Sequence, residues 1–233
     1  MAPSLPPSMR PHFSPVAKSL HVLEVERKFA PTTESLARLR ANNGEPRFAL
    51  HHPLPIIDLH DIYYDCGNTL MRKGIYVRLR NGKWGAKVRV GGDYINSRFK
   101  EYHGVGEVEN ILRGVGNTKD KFQGARVTDL LPVVEFKAKR ESWNIDGFKV
   151  VVDEVDFGHR VGEVELCQSF DLSARFALSK DGRGMEKAGE KMDFKIETFM
   201  QVHKWAFPKQ EGEVMGKLTA YFRWKDKVGK SEG

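Results

Sequence analysis

The sequence predicts an α+β protein, mainly antiparallel β, with about seven to nine strands closed into a barrel and a few peripheral helices. Three observations carry that expectation. Polar and apolar residues alternate over many short segments, the period-two signature of strands. Asn81-Gly82 and Asp146-Gly147 fall between such segments, and both pairs suit the left-handed backbone of a two-residue hairpin turn. Extended helical spacing is clear only late in the chain, so most connections are short, and a barrel is the closure that leaves no strand edge unpaired.

Ordered sequence begins near Leu20. Residues 21–29 (HVLEVERKF) put Glu24, Glu26 and Lys28 on one strand face and Leu23, Val25, Arg27 and Phe29 on the other. Thr32 or Thr33 caps a short helix running through Leu39, and Asn43-Gly44 ends it. Residues 56–65 form a strand, and residues 74–80 and 83–90 form the first hairpin. Gly91-Gly92 opens a looser stretch before a strand over residues 98–102. Residues 104–131 fit one or two short helices with loops. Residues 133–143 and 148–155 form the second hairpin, and residues 158–167 a further strand. Residues 170–183 read as loop with a short helix. In residues 185–205, Met185, Ala188, Met192, Ile196, Phe199 and His203 recur at helical spacing. Residues 218–224 (LTAYFRW) read as the last strand, before a charged tail over residues 226–233. No repeat or Pro/Gly linker divides residues 21–225, which predicts one domain.

The chain of 233 residues carries 38 Lys plus Arg against 31 Asp plus Glu, a net charge of +7 that favours an anionic partner. Its composition, 40% hydrophobic and 30% charged, suits a soluble globular protein, and no apolar run approaches the length of a membrane span. Cys66 and Cys167 form no CxxC pair, so neither a disulfide framework nor a structural zinc site is expected, and a reducing compartment, the cytoplasm, fits best. Residues 1–20 lack an acid and resemble a mitochondrial presequence in part. Their five prolines oppose the helix a presequence needs, and a disordered tail is the preferred reading.

The charges are distributed unusually. Glu24 and Glu26 share a face of the first strand, Tyr63 and Asp65 of the second, and Tyr76, Arg78 and Arg80 of the third. Lys83 and Lys87 share a face of the fourth, Asp153 lies on a later strand, and Glu163 and Glu165 share a face after it. Any one such pair fits an ordinary solvent face. Acids and bases segregate by strand, however, and a barrel wide enough for a ligand turns them into an acidic and a basic wall. Carboxylates suit a hard cation such as Mg²⁺ or Mn²⁺, and Arg and Lys suit phosphoryl oxygens. The two walls are expected to compensate each other only when metal and polyphosphate lie between them.

EVERK at residues 24–28 resembles the ExExK signature of the CYTH superfamily, the triphosphate tunnel metalloenzymes. YYD at 63–65, RLR at 78–80, Lys87, KRESW at 139–143, DEVDFG at 153–158, GEVE at 162–165 and GKL at 216–218 follow in the family's order. Within the family the series is most similar to mammalian-type thiamine triphosphatases, through YYD, DEVDFG and VGEVE. The resemblance implies an eight-stranded closed barrel and hydrolysis of thiamine triphosphate to thiamine diphosphate and phosphate. It assigns Glu24, Glu26, Asp153, Glu163 and Glu165 to the metal, Mg²⁺ or Mn²⁺. Arg78, Arg80, Lys87, Arg140 and Lys217 would hold the phosphates, and Lys28 and Tyr63 would handle the attacking water. Tyr76 stands where those enzymes carry a tryptophan near the tunnel mouth. Neighbouring cations are expected to lower the pKa of Lys28.

The expected partner is a small-molecule triphosphate, bound by a monomer without nucleic acid or membrane. Three alternatives stay open: an adenylate cyclase releasing pyrophosphate, an inorganic or RNA triphosphatase, and a non-enzymatic polyphosphate binder. No Walker-type glycine loop or GxSxG elbow is present, so neither a P-loop enzyme nor a serine nucleophile is indicated.

Overall fold

The computed structural model of the protein describes residues 20–115, 126–171, 183–209 and 212–231. All but the last residue of the tail expected over residues 1–20, most of the 170–183 loop and the last two residues lie outside them.

β1 (Leu20–Phe29) leads into α1 (Thr33–Ala41), which starts at the expected place: Thr32 Oγ1 accepts from the Ser35 N–H at 3.0 Å, and Ser35 Oγ accepts from the Thr32 N–H at 3.0 Å. β2 (His51–Pro53) and β3 (Ile57–Asp65) come next. Asp65 turns the chain into α2 (Thr69–Arg72), its carboxylate accepting from the backbone N–H groups of Cys66, Leu70 and Met71. β4 (Ile75–Arg80) and β5 (Lys83–Gly92) meet at Asn81-Gly82, both at positive φ. After β6 (Asn96–His103) and α3 (Val105–Val115), β7 (Leu131–Ile145) and β8 (Phe148–Val155) make the second hairpin over Asp146-Gly147. β9 (Arg160–Asp171), α4 (Gly184–Val202) and α5 (Lys217–Ser231) complete the described elements.

The strands pair antiparallel in the order β7-β3-β4-β5-β6-β1-β9-β8, and pairing of β8 with β7 closes an eight-stranded barrel. β2, which the sequence pattern did not reveal, adds only three residues to β7 beyond the end of β3.

The expected last strand over residues 218–224 is instead the start of a helix. Leu218, Tyr221 and Trp224 recur every three residues, which in a helix brings them to one side, where Tyr221 and Trp224 meet Phe157. No turn residue interrupts the segment, and the closed barrel offers it no strand edge. Period two and period three both fit so short a run, and tertiary packing decides between them.

The apolar core lies mostly outside the barrel. Leu23, Val25 and Phe29 point outward from β1 and pack with Val150, Val164, Ile196 and Phe199 beneath α4. Gly162 is required for this packing, because a Cβ there would come within 2.2 Å of the Phe29 ring. A second cluster joins Val77 and Ala86 to Val108 and Leu112 of α3. A third, with Leu59, Tyr63, Phe136 and Val155, fills one end of the lumen beneath Leu218 and Tyr221. The rest of the lumen carries most of the protein's buried charged side chains among the described residues. Among the described residues, no helix is long and apolar enough to cross a membrane.

Candidate active site

The lumen holds a cavity of about 610 Å³, lined by Glu24, Glu26, Lys28, Tyr63, Tyr76, Arg78, Arg80, Lys87, Arg140, Glu163, Glu165 and Lys217. Of the site residues expected from the sequence, only Asp153 stays out of the lining; it is fully buried behind Arg140. The segregation by strand persists around the barrel in the main, with Lys28 on β1, Lys149 on β8 and Asp61 on β3 as exceptions. β6, β1, β9 and β8 run consecutively and carry Glu101, Glu24, Glu26, Glu163, Glu165 and Asp153, while β7, β3, β4 and β5 carry Arg140, Arg78, Arg80 and Lys87.

The two walls nevertheless compensate each other directly, contrary to expectation. Lys87 reaches across to Glu24 and also lies 3.4 Å from Glu26 and 3.3 Å from Glu101. At the seam of β7 and β8, Arg140 donates to both Asp153 oxygens at 2.6 and 2.7 Å, and Lys217 Nζ bonds the same carboxylate. Glu163 lies 3.9 Å from Lys217 and 4.0 Å from Arg140. Arg80 donates to both oxygens of Asp61 at 2.6 Å. Closing a barrel brings facing side chains within reach of one another, and buried charges select partners where they exist.

The carboxylates divide into two groups. Burial pushes Glu163 up, but Lys217, Lys28 and Arg140 more than offset this and hold it at about 2. Glu24 goes the other way: burial raises its carboxyl to about 8, with Lys87 opposing and Glu165, Glu101 and Glu26 adding to the rise. The acids that crowd Glu24 lie on β1, β9 and β6, with Glu26 standing directly across from Glu165 on the neighbouring strand.

Lys28 corrects another expectation. Burial opposes its charge, but Glu26 and Glu163 outweigh burial and Lys87, and the ammonium is held above its ordinary pKa. Its Nζ bonds Glu26 and lies 3.4 Å from Ser97 Oγ. The expectation failed because it weighed the cations in the sequence pattern without the two acids facing Lys28. Its stem passes under Gly216, where a Cβ would lie 3.0 Å from Lys28 Cε, so the glycine before Lys217 lets the start of α5 approach β1.

Arg78 differs from its neighbours. Burial again opposes its charge, and Tyr63 and Asp61 sustain it, yet it forms no ion pair within 4.0 Å among the described residues. Tyr76 lines the same wall, edge-on to Phe99 with centroids 5.9 Å apart, and stands opposite Lys87 in the β4–β5 register.

Glu101, Asp61, Arg89 and Lys149 also belong to this network or line the cavity, and the sequence reading did not select them. Asp61 continues the alternation of Tyr63 and Asp65, and Arg89 that of Lys87, so both were within reach of the period-two argument. Lys149 reaches Glu165 at 3.0 Å from a neighbouring strand, a pairing that only register reveals.

The lumen carboxylates suit a hard divalent cation by donor type. Among the described residues, however, no three acidic, His or Cys side chains are already gathered as a metal centre. Metal entry at Glu24 and Glu26 would require Lys87 to give up its contacts.

Several solved structures resemble the chain. PH1819 protein from Pyrococcus horikoshii is 16% identical, with 87% of this chain and 99% of that one covered and a TM-score of 0.49. HpAC1 from Hippeastrum, assigned as an adenylyl cyclase and described as having a dominant triphosphatase activity, is 15% identical over 86% of this chain and 95% of its own, with a TM-score of 0.49. A conserved protein from Pyrococcus furiosus is 15% identical over 84% and 98%, with a TM-score of 0.46. No curated protein matches the chain by sequence. The CYTH domain model matches residues 23–181, from β1 through β9 and therefore every strand of the barrel except β1's first residues. The chain belongs to the CYTH domain family.

Proposed function

We propose that the protein is a metal-dependent hydrolase that cleaves the terminal phosphate of thiamine triphosphate, giving thiamine diphosphate and phosphate. The observation that carries the reading is one lumen in which Arg78, Arg80, Lys87, Arg140 and Lys217 face Glu24, Glu26 and Glu165. Phosphoryl transfer spreads negative charge over the oxygens of the transferred group, and positioned cations stabilise it with little further chemistry. Arg78, without a carboxylate partner, is the readiest of them to take a phosphoryl oxygen in bidentate fashion.

A water oxygen would attack the terminal phosphorus while the bond to the bridging oxygen breaks. Lys28, held cationic between Glu26 and Glu163, would orient that water or a phosphoryl oxygen, and a proton acceptor is better sought among the glutamates. Glu24 and Glu26, with Glu165, would hold Mg²⁺ or Mn²⁺, which supplies Lewis-acid stabilisation of the phosphoryl oxygens. Phosphate release from thiamine triphosphate should stop in chelator and return with added Mg²⁺. Full turnover in EDTA would remove the metal from the reading.

Tyr76 supports the thiamine substrate, since its ring shares a wall with Arg78 and Arg80 and can lie against a cationic thiazolium. Tyr76→Ala should cost thiamine triphosphate about 0.5–2 kcal/mol in kcat/KM and inorganic triphosphate much less. Equal losses on both substrates would make the ring scaffold. A second reading, hydrolysis of inorganic triphosphate, is favoured by Phe99, whose ring already carries Lys87 at 5.3 Å and Arg89 at 5.0 Å. A cationic head group would meet those charges.

A further inference from the structure

Lys28, Arg80, Lys87, Arg140 and Lys217 are each bonded to a carboxylate inside the barrel. Arg89 lines the same cavity from β5, two residues past Lys87 and on the same face, but its bonds go elsewhere. It donates to the Asp93 carbonyl oxygen at 2.6 Å and to Ser97 Oγ at 3.5 Å. Its guanidinium carbon lies 5.0 Å from the Phe99 centroid and 5.5 Å from that of Tyr94. The Asp93 carboxylate is committed to the turn, accepting from the N–H groups of Ile95 and Asn96 at 2.7 Å each.

The position is built with care. Gly74, at φ 72°, faces Arg89 so closely that a Cβ there would stand 3.0 Å from Arg89 Cβ. Tyr94 is 75% exposed, so this end of the lining opens to solvent. Two rings hold the guanidinium against its faces and leave N–H groups at its edge, the part that grips an anionic oxygen in plane. A cation held in this way, with no ion pair within 4.0 Å among the described residues, is preorganised for an anion.

We propose that Arg89 is a further substrate-contacting residue, receiving a phosphoryl group beyond the three gripped deeper in the lumen, so that the site favours linear polyphosphates longer than triphosphate. The inference rests on the triphosphate-hydrolase reading but not on the identity of any organic head group.

Isothermal titration calorimetry of the full chain in chelator, with inorganic tripolyphosphate and tetrapolyphosphate as probes, tests it without turnover. The wild type should bind tetrapolyphosphate about tenfold more tightly than tripolyphosphate, one charge-assisted contact being sufficient for that ratio. Arg89→Gln should remove most of the ratio while weakening tripolyphosphate less, and Arg89→Lys should restore part of it. A ratio near one in the wild type, or a ratio that survives Arg89→Gln, overturns the proposal. If tripolyphosphate binds and Arg78→Gln weakens it while the Arg89 ratio does not move, the hydrolase reading stands and the rim contact falls. If the wild type binds neither probe in chelator nor with Ca²⁺ in its place, both fall together.

Discussion

Asp153→Ala should destabilise the protein by about 3–5 kcal/mol, the usual consequence of removing one partner from a buried ion pair. Asp153 is fully buried and accepts from Arg140 through two bonds and from Lys217 through a third. Alanine would leave two cations out of water with Glu163 about 4 Å away, and Glu165 acting on Arg140 at longer range, to answer them. Burial pushes the Asp153 carboxyl up, but Lys217 and Arg140 more than reverse this and hold it well below the ordinary aspartate range. A depressed carboxylate contributes stability above its unfolded pKa, near 3.9, and that contribution disappears as pH falls towards the folded value. The wild type should therefore lose stability steadily below about pH 4, and Asp153→Ala should lose less over the same interval. Urea melts at neutral and acid pH measure both effects. A variant within about 1 kcal/mol of wild type at pH 7 would show that the triad is no anchor.

Such cross-strand triads mark the boundary of what the sequence discloses. Glu24, Glu26, Arg78 and Arg80 were legible because side chains two apart on a strand share a face, and nothing beyond period two is needed to see them. The two hairpins were legible because Asn81-Gly82 and Asp146-Gly147 accept positive φ. Which acid meets which base is a property of register, and register is written across strands rather than along one. Hence Asp61 facing Arg80, Arg140 facing Asp153 and Lys149 facing Glu165 emerged only with the closed barrel. Glu101 sits on a strand whose pairing shifts register between Arg89 and Gly91, after the loosely patterned Gly91-Gly92, and no single-strand signal singled it out. Lys217 was expected at the head of a strand and is delivered instead by the first turn of α5, yet it reaches the same lumen. A motif can thus hold its place in the chemistry while its secondary structure is misjudged, because a lysine stem of four carbons tolerates either backbone.

The contrast between the two arginines of β4 gives the largest expected effect on activity. Arg80 is tied through two bonds of 2.6 Å to Asp61, which is itself fully buried. Arg78, two residues earlier on the same face, has no ion pair within 4.0 Å among the described residues. A cation already gripped by a bidentate carboxylate has less charge to offer a phosphoryl oxygen, whereas Arg78 has Asp61 only at longer range and keeps more of its charge for a ligand. Arg78→Ala should therefore lower kcat/KM on a triphosphate by about 10²- to 10³-fold, the range found when one preorganised donor to developing charge is removed. Its folding stability should stay near wild type, since half-buried Arg78 ties down no carboxylate among the described residues. Arg80→Ala should show the opposite balance: a smaller loss of rate and a clear loss of stability, because buried Asp61 loses both its hydrogen bonds and keeps Arg78 and Lys217 only at longer range. Arg78→Lys should recover only part of the rate, a point charge being unable to replace the planar fork. Steady-state kinetics and thermal melts on the three variants decide the matter. If Arg78→Ala keeps kcat/KM within a few-fold of wild type, or if it melts far below Arg80→Ala, the guanidinium of Arg78 supports the barrel and does not grip the substrate.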